Sequence, residues 1–407
     1  MKRVVVTGMA GLSPIGNDWP TIRARLASMH TGIRYMEDWA TYDGLNTRLG
    51  GPVEDFRMPA HYNRKALRSM GRIAQLATYS AELALTDSGL LDDPILTSGK
   101  AGVSFGSSAG SVAAIGDFGN MLINHSTDGL NANSYIRMMA HTAPVNIGVH
   151  FGLKGRVITT SSACTSGSQG IGYAYEAIKY GMQTVMLAGG AEELSPTEAA
   201  VFDTLYATSV KNETPEATPR PFDRNRDGLV VGEGSGCLVL EELEHARARG
   251  ATIYAELVGF GTNSDGKHVT QPSADTMQEA IQLALRDAAL APEQIGYVSA
   301  HGTATDRGDV AESNATEAVF GGATPISAFK SFTGHTLGAC GALEAWASIE
   351  MMRSQWFHAT ANLTDIDPDC GDLDYIVGEG RTIDTEYVMS NNFAFGGINT
   401  SLIFRRV

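Results

Sequence analysis

Short runs of β-branched and other apolar residues recur along the chain, separated by stretches whose apolar positions fall three and four apart. That alternation predicts an α/β chain built from β-α-β units. Strands are expected at "RVVVT" (3–7), "AGVSF" (101–105), "RVITT" (156–160), "TVMLAG" (184–189), "GCLVLEE" (236–242), "IYAELVGF" (253–260), "GYVSAH" (296–301), "YVMSN" (387–391) and "SLIFR" (401–405). Between the third and fourth, Ile171, Ala174, Tyr175 and Ile178 repeat at i, i+3, i+4 and i+7, and Gly181 follows as a stop. This is the apolar stripe of one well-marked helix. The Pro- and charge-rich "VKNETPEATPRPFDRNRDG" (210–228) reads as a long surface connection, and "EELEHARARGATIYAEL" (241–257) as the join between two halves, 1–250 and 251–407. Each half opens on strands and carries glycine-rich loops, as a duplicated unit would.

At 407 residues and 43% hydrophobic content, the chain is large enough for two cores that share an interface. No apolar run approaches the roughly 20 residues that span a bilayer, and "MKRVVVTGMAG" has no secretory-signal pattern. A cytoplasmic protein without membrane association is expected. The formal charge of −15 sets the surface against nucleic acid and anionic lipid, so an acidic partner would need a local basic patch. Cys164, Cys237, Cys340 and Cys370 follow neither a disulfide nor a zinc spacing.

Cys164 stands in "SSACTSGSQGIG", among small residues, between an expected strand and the expected helix. A thiol at a helix N-terminus has its anion stabilised and its pKa lowered, which suits a nucleophile. The context is that of a nucleophile elbow, without the usual G-x-S-x-G signature. Its natural partners are histidines, and two open glycine-rich turns: His301 in "VSAHGTATDRGD" and His335 in "KSFTGHTLGACGALE". Neither has metal-ligand spacing, so no metal is expected.

Taken together, these motifs resemble the β-ketoacyl-acyl carrier protein synthases of the thiolase-like superfamily. "SSACTSGS", "AHGTATDRGD", "KSFTGHTLGACGALE" and "SNNFAFGGINTSL" match in order, and "VVVTGMAGLSPIGN" and "RPFDRNRDGLVVGEG" extend the likeness along nearly the whole chain. "SSAC", "GGAEEL" and "EELEHARARGATIYAE" look most like the elongating synthases of bacterial type II fatty acid synthesis. The resemblance implies a duplicated α-β-α-β-α layered fold, two similar halves with mixed five-stranded sheets. The nucleophile and the carrier and dimer surface would lie in the first half, and both histidines in the second.

The implied reaction is a decarboxylative Claisen condensation of an acyl group on Cys164 with malonyl on a carrier, in fatty acid or polyene/polyketide elongation. Backbone N–H groups of Cys164 and Phe395 would bind the tetrahedral oxyanion, with Gly396 and Gly397 aiming the latter. His301 and His335 would donate to the enolate oxygen, supported by Lys330 and Glu344, and Thr303 and Thr305 would meet the pantetheine amides. Ser107, Ser108 and Ala109 fall where the family lines its acyl pocket, and their small size leaves space for medium or longer chains.

The implied partner is acyl carrier protein, in acyl and malonyl forms, docking on Arg64, Lys65, Arg68 and Arg72 of one helical face, with Lys211. The 4′-phosphopantetheine arrives on that carrier, so no resident cofactor is expected. The family pairs as homodimers, and a heterodimer with a related subunit is the variant. Asp306 stands where a proline is usual, Arg307 follows it, and Gln169 replaces a frequent histidine. Two alternatives remain: a chain-length-factor-like partner subunit, which would usually lack the nucleophile, and an NAD(P) oxidoreductase, for which "RVVVTGMAGLSPIG" lacks the G-x-G-x-x-G spacing.

Overall fold

The computed structural model describes residues 1–407. Ten strands carry the architecture: β1 (Val4–Leu12), β2 (Ala101–Gly106), β3 (Val157–Thr160), β4 (Val185–Glu192), β5 (Gly234–Glu242), β6 (Ala255–Ser264), β7 (Ile295–Ser299), β8 (Pro325–Ser327), β9 (Tyr387–Ala394) and β10 (Ile398–Arg405). From one edge they run β3-β2-β4-β5-β1 and then β6-β10-β9-β7-β8, with a two-residue strand, Asp374–Tyr375, beyond β8. Counted within each half, both follow the order 3-2-4-5-1. Each half is mixed: its three outer strands are parallel, and the remaining two run antiparallel to their neighbours. The two five-stranded sheets pair through three residue pairs, Val4 to Val6 of β1 against Ala255 to Leu257 of β6. The duplicated fold is therefore present, its two sheets joined at one seam.

Five layers follow from what each helix covers. Helices α1 (Arg72–Ser88) and α2 (Thr142–Phe151) lie on the outer face of the first half. Helices α4 (Ala274–Ala288) and α5 (Asp306–Phe320) flank the second. Between the sheets run α3 (Ser166–Lys179), packed on β4, β6 and β10, and α6 (Cys340–Ser354), packed on β5 and β9. A helix between two sheets loses its polar face, and α6 is accordingly buried along almost its whole length. The predicted stripe of α3, Ile171, Ala174, Tyr175 and Ile178, is buried in full, and Gly181 ends the helix at φ 74°.

One sequence expectation needs correction, and one alternative falls away. The 210–228 segment is not merely a surface connection: Phe222 is fully buried in the core of the second half, and the Asp223 carboxylate accepts N–H groups of Asn225, Thr364 and Asp365. A proline-rich composition conceals an inward-turned stretch, Thr218, Pro219 and Pro221 to Asp223. The N-terminal glycines do not form a nucleotide-binding turn either. Gly8 and Gly11 lie inside β1, where an added Cβ would come within 2.3 Å of the Ala84 carbonyl and 2.4 Å of the Trp346 ring. They let α1 and α6 approach the sheet, which removes the basis for the oxidoreductase reading. No helix is long and apolar enough to cross a membrane.

Candidate active site

The duplication explains how distant motifs meet. Each central helix starts from a single 3₁₀ turn, Ala163–Thr165 before α3 and Leu337–Ala339 before α6, and these turns pack against each other. Each opens on a non-glycine residue in the left-handed region, Ala163 at φ 50° and Leu337 at φ 45°. Such a conformation costs about 1–2 kcal/mol for an L-residue and is retained where the surroundings over-determine it. At Ala163 the fixing group is Ser166, whose hydroxyl accepts the Ser162 N–H (3.0 Å) and donates to the Ala163 carbonyl (2.7 Å). Cys164 sits in the first turn, and His335 lies just before the second. His335 is tied by its backbone to the 230–232 segment, its N–H to the Val230 carbonyl and its carbonyl to the Gly232 N–H.

The Cys164 Sγ lies 3.0 Å from His335 Nε2, and the His301 and His335 rings meet at 5.1 Å and 87°. The tautomers follow from the other ring nitrogens. Leu337 N–H donates to His335 Nδ1 at 3.1 Å, so that nitrogen is the acceptor and Nε2 carries the proton. At His301 Nδ1 the neighbours are the Lys330 ammonium, 3.1 Å away, and the Asn392 amide, 3.4 Å away, both donors. His301 Nε2 therefore carries its proton too. Burial, reinforced by the Lys330 charge, holds both histidines well below the usual imidazole pKa, so both are neutral donors.

Lys330 and Glu344 are each only 1% exposed in their side chains. The ammonium donates to Glu344 Oε1 and to the His301 carbonyl (2.7 Å), and Asn392 donates to Glu344 Oε2 (2.6 Å). Burial works against the lysine charge, but Cys340, Glu344 and Glu312 outweigh it, and the pKa rises above the usual lysine value. Sγ and ring nitrogens of Cys164, His301 and His335 lie within 4.8 Å of one another, as do donor atoms of His301, Cys340 and Glu344. Both sets have the size of a metal site, yet the ammonium beside His301 sets a like charge against a cation.

The expected thiol pKa is reversed. Burial pushes Cys164 up to about 11, against the pull of Lys330 and of the backbone N–H groups of Phe395 and Cys164 itself. A thiol 4% exposed pays for desolvation before helix dipoles can help it. The N–H groups of Phe395 and Cys164 nevertheless bear on the same sulfur. Gly396 and Gly397, at φ 89° and 69°, supply the left-handed bend that turns the Phe395 segment.

A cavity of ≈ 600 Å³ leads to this cluster, lined by Cys164, His301, His335, Phe395, Thr303 and Thr305, and also by Asp306 and Arg307. Ser107, Ser108 and Ala109 are not among its lining residues. The Ser107 hydroxyl donates to the Ala109 carbonyl and Ser108 N–H to Glu192, so these residues bind one another and β4 instead. Gln169 reaches Thr262 at 3.3 Å, also away from the cavity lining.

The basic face needs revision. Arg64 and Lys65 open a single turn, Arg64–Leu67, and Arg68 caps it. The chain then breaks before α1, so Arg72 belongs to another helix and chelates Glu233 through two hydrogen bonds of 2.7 and 2.6 Å. Lys211 is likewise occupied, by Asp227 and the Asn225 carbonyl. Arg64, Lys65 and Arg68 stay exposed.

Besides Asn392, whose amide meets His301 and Glu344, two acids escaped the sequence reading. Glu312 accepts the His301 and Gly302 N–H groups at 2.6 and 2.7 Å, and Asp309 accepts those of Thr303, Ala304 and Phe222. They shape the loop that carries His301 and both threonines. Burial pushes them up to about 8 and about 6 respectively. Their signal was present as acids three apart in "DRGDVAE", on one face of α5. Above pH 8, Glu312→Gln is expected to cost about 1–3 kcal/mol in urea unfolding, because a carboxylate accepts at both oxygens and an amide at only one.

Two family models match the chain, "Beta-ketoacyl synthase, N-terminal domain" over residues 1–246 and "Beta-ketoacyl synthase, C-terminal domain" over 254–364. A curated relative, 3-oxoacyl-[acyl-carrier-protein] synthase 2 of Vibrio harveyi, is 39% identical, covering 100% of this chain and 99% of its own. A β-ketoacyl synthase crystal structure from Burkholderia phymatum STM815 superposes with a TM-score of 0.99 at 60% identity, covering 100% of both chains. A type II polyketide ketosynthase solved with its acyl-carrier protein and a bound hexaketide gives 0.89 at 31% identity, covering 100% of this chain and 99% of its own. The duplicated sheet order, the thiol facing two crossed imidazoles and these full-length matches agree: the chain belongs to the β-ketoacyl synthase family.

Proposed function

We propose that this enzyme is a β-ketoacyl-acyl carrier protein synthase, an acyltransferase that joins a Cys164-bound acyl group to malonyl on a carrier. The observation that carries this reading is the pairing of one buried thiol with two neutral Nε2–H donors. In the first half-reaction the Cys164 sulfur bonds to the acyl carbon, the carrier pantetheine sulfur departs, and the thiol proton passes to it. The N–H groups of Cys164 and Phe395 stabilise the tetrahedral oxyanion. In the second, the malonyl C–C bond breaks and releases carbon dioxide. His301 and His335 donate to the enolate oxygen as the electron pair arrives there. The enolate carbon then attacks the acyl carbon and expels the Cys164 thiolate, which takes up one proton from solvent to restore the thiol.

Neutral imidazoles suit this task because the charge to be stabilised appears only in the transition state. Lys330 and Glu344 are positioning residues: they hold His301 in its Nε2–H form. Thr303 and Thr305, their hydroxyls 2.8 Å apart in the half-buried part of the cavity, meet the pantetheine amides. Acyl carrier protein docks on Arg64, Lys65 and Arg68, and brings the only prosthetic group the reaction needs. The enzyme works in the cytoplasm as a homodimer, its first halves joined through the unpaired edge of β3, where Val157 is 50% exposed. A non-catalytic partner role is disfavoured by the complete thiol–imidazole set.

With octanoyl-carrier and malonyl-carrier together, the purified chain is expected to yield the β-ketodecanoyl carrier and one carbon dioxide per turnover, by mass spectrometry. Product from acetyl primers alone would overturn the expectation of medium or longer chains, which belong to fatty acid or polyene/polyketide elongation.

A further inference from the structure

Six residues with carboxylate or guanidinium side chains line the catalytic cavity: Arg226, Asp227, Asp265, Asp306, Arg307 and Glu312. Five are engaged. Arg226 is within ion-pair distance of Asp306, Asp309 and Asp367, and Asp227 pairs with Lys211. Asp265 accepts from Thr276 and Asn399, and Glu312 from backbone N–H groups. Arg307 alone has neither an ion pair nor a side-chain hydrogen bond, and it is exposed.

Depth within the cavity orders the chemistry. Cys164 and both histidines are buried, Thr303 and Thr305 are half-buried, and Asp306 and Arg307 are exposed. A phosphopantetheine arm has the same order: thioester, two amides, then a phosphodiester at the end nearest the carrier. We infer that Arg307 receives the phosphate of the phosphopantetheine arm at the cavity rim and makes that phosphate a determinant of substrate selection. The inference rests on the condensing reading given above.

A guanidinium matches two phosphate oxygens at once, which a lysine cannot do. Arg307 also lies in the first turn of α5, a 15-residue helix whose N-cap, Thr305, makes no side-chain cap hydrogen bond. The dipole there adds to the same attraction. Gly308 keeps the turn close to the threonines, since a Cβ would fall 2.4 Å from Thr305 Oγ1. Asp306 opposes the arrangement. Its side chain is 95% exposed and its nearest cation, Arg226, is 3.7 Å away, so its charge bears on any anion at the rim.

The test compares acylation of the full chain by two small thioesters, octanoyl-phosphopantetheine and octanoyl-pantetheine, which differ only in the phosphate. Wild type is expected to favour the phosphorylated thioester about two- to fivefold in kcat/KM, through KM. In Arg307→Gln that ratio falls to about one, Arg307→Lys keeps part of it, and Asp306→Asn raises it. Acylation with the same ratio in wild type and Arg307→Gln would overturn the assignment while leaving the condensing reading intact. Failure of both thioesters to acylate wild-type Cys164 would overturn the reading, and the assignment with it.

Discussion

Cys164→Gln is expected to abolish condensation, a fall of about four orders of magnitude or more, while malonyl-carrier decarboxylation continues. The two outcomes separate because the two half-reactions use different atoms. Acyl transfer needs the sulfur, and no other nucleophile stands beside His335 Nε2. Decarboxylation needs donors for the enolate oxygen. Those donors are fixed from behind, His335 by Leu337 N–H and His301 by Lys330 and Asn392, none of which depends on the thiol. Glutamine adds an amide where the acyl group would sit, and the thioester cannot form on it. Carbon dioxide release without β-ketoacyl product is the signature; product formation by this variant would contradict the assignment of Cys164.

Lys330→Met has the second large effect, on stability and on chemistry together. The ammonium and Glu344 form an ion pair with each side chain 1% exposed, and removing one partner leaves the other buried and unpaired. That costs about 3–5 kcal/mol, a large part of the 5–15 kcal/mol that holds a typical protein folded. The same change strips His301 Nδ1 of its ammonium donor, leaving only the 3.4 Å contact with Asn392. The ring is then free to carry its proton on Nδ1, presenting a lone pair to the enolate, and decarboxylation is expected to fall about 10²–10³-fold.

The double variant Lys330→Met/Glu344→Leu distinguishes the two contributions. Its urea midpoint recovers, since two apolar side chains can replace a buried ion pair, while decarboxylation stays low. Recovery of activity along with stability would show that Lys330 serves only the fold.

The nine strands expected from β-branched runs all occur, because each run is long enough to signal itself. β8 was missed: at three residues, "PIS", it has no pattern to read. The chemistry was legible where motif and element boundary coincide, as at Cys164 and His335, each beside a left-handed turn that starts a central helix. What escaped depends on tertiary burial. The thiol looked acidified by its helix, but its desolvation arises only when two sheets close over it. Arg72 looked like its basic neighbours until Gly71 broke the helix and Glu233, 161 positions away, claimed it. Glu312 was passed over because a carboxylate in a helix resembles any solvated acid until its amide partners are seen.

The most direct test of a buried thiol served by two neutral imidazoles is peptide-resolved mass analysis after brief exposure to octanoyl-carrier. The account predicts one octanoyl group per chain, on the peptide containing Cys164, and none on those containing Cys237, Cys340 or Cys370. An octanoyl group on any of those three, or an unmodified Cys164, would contradict it.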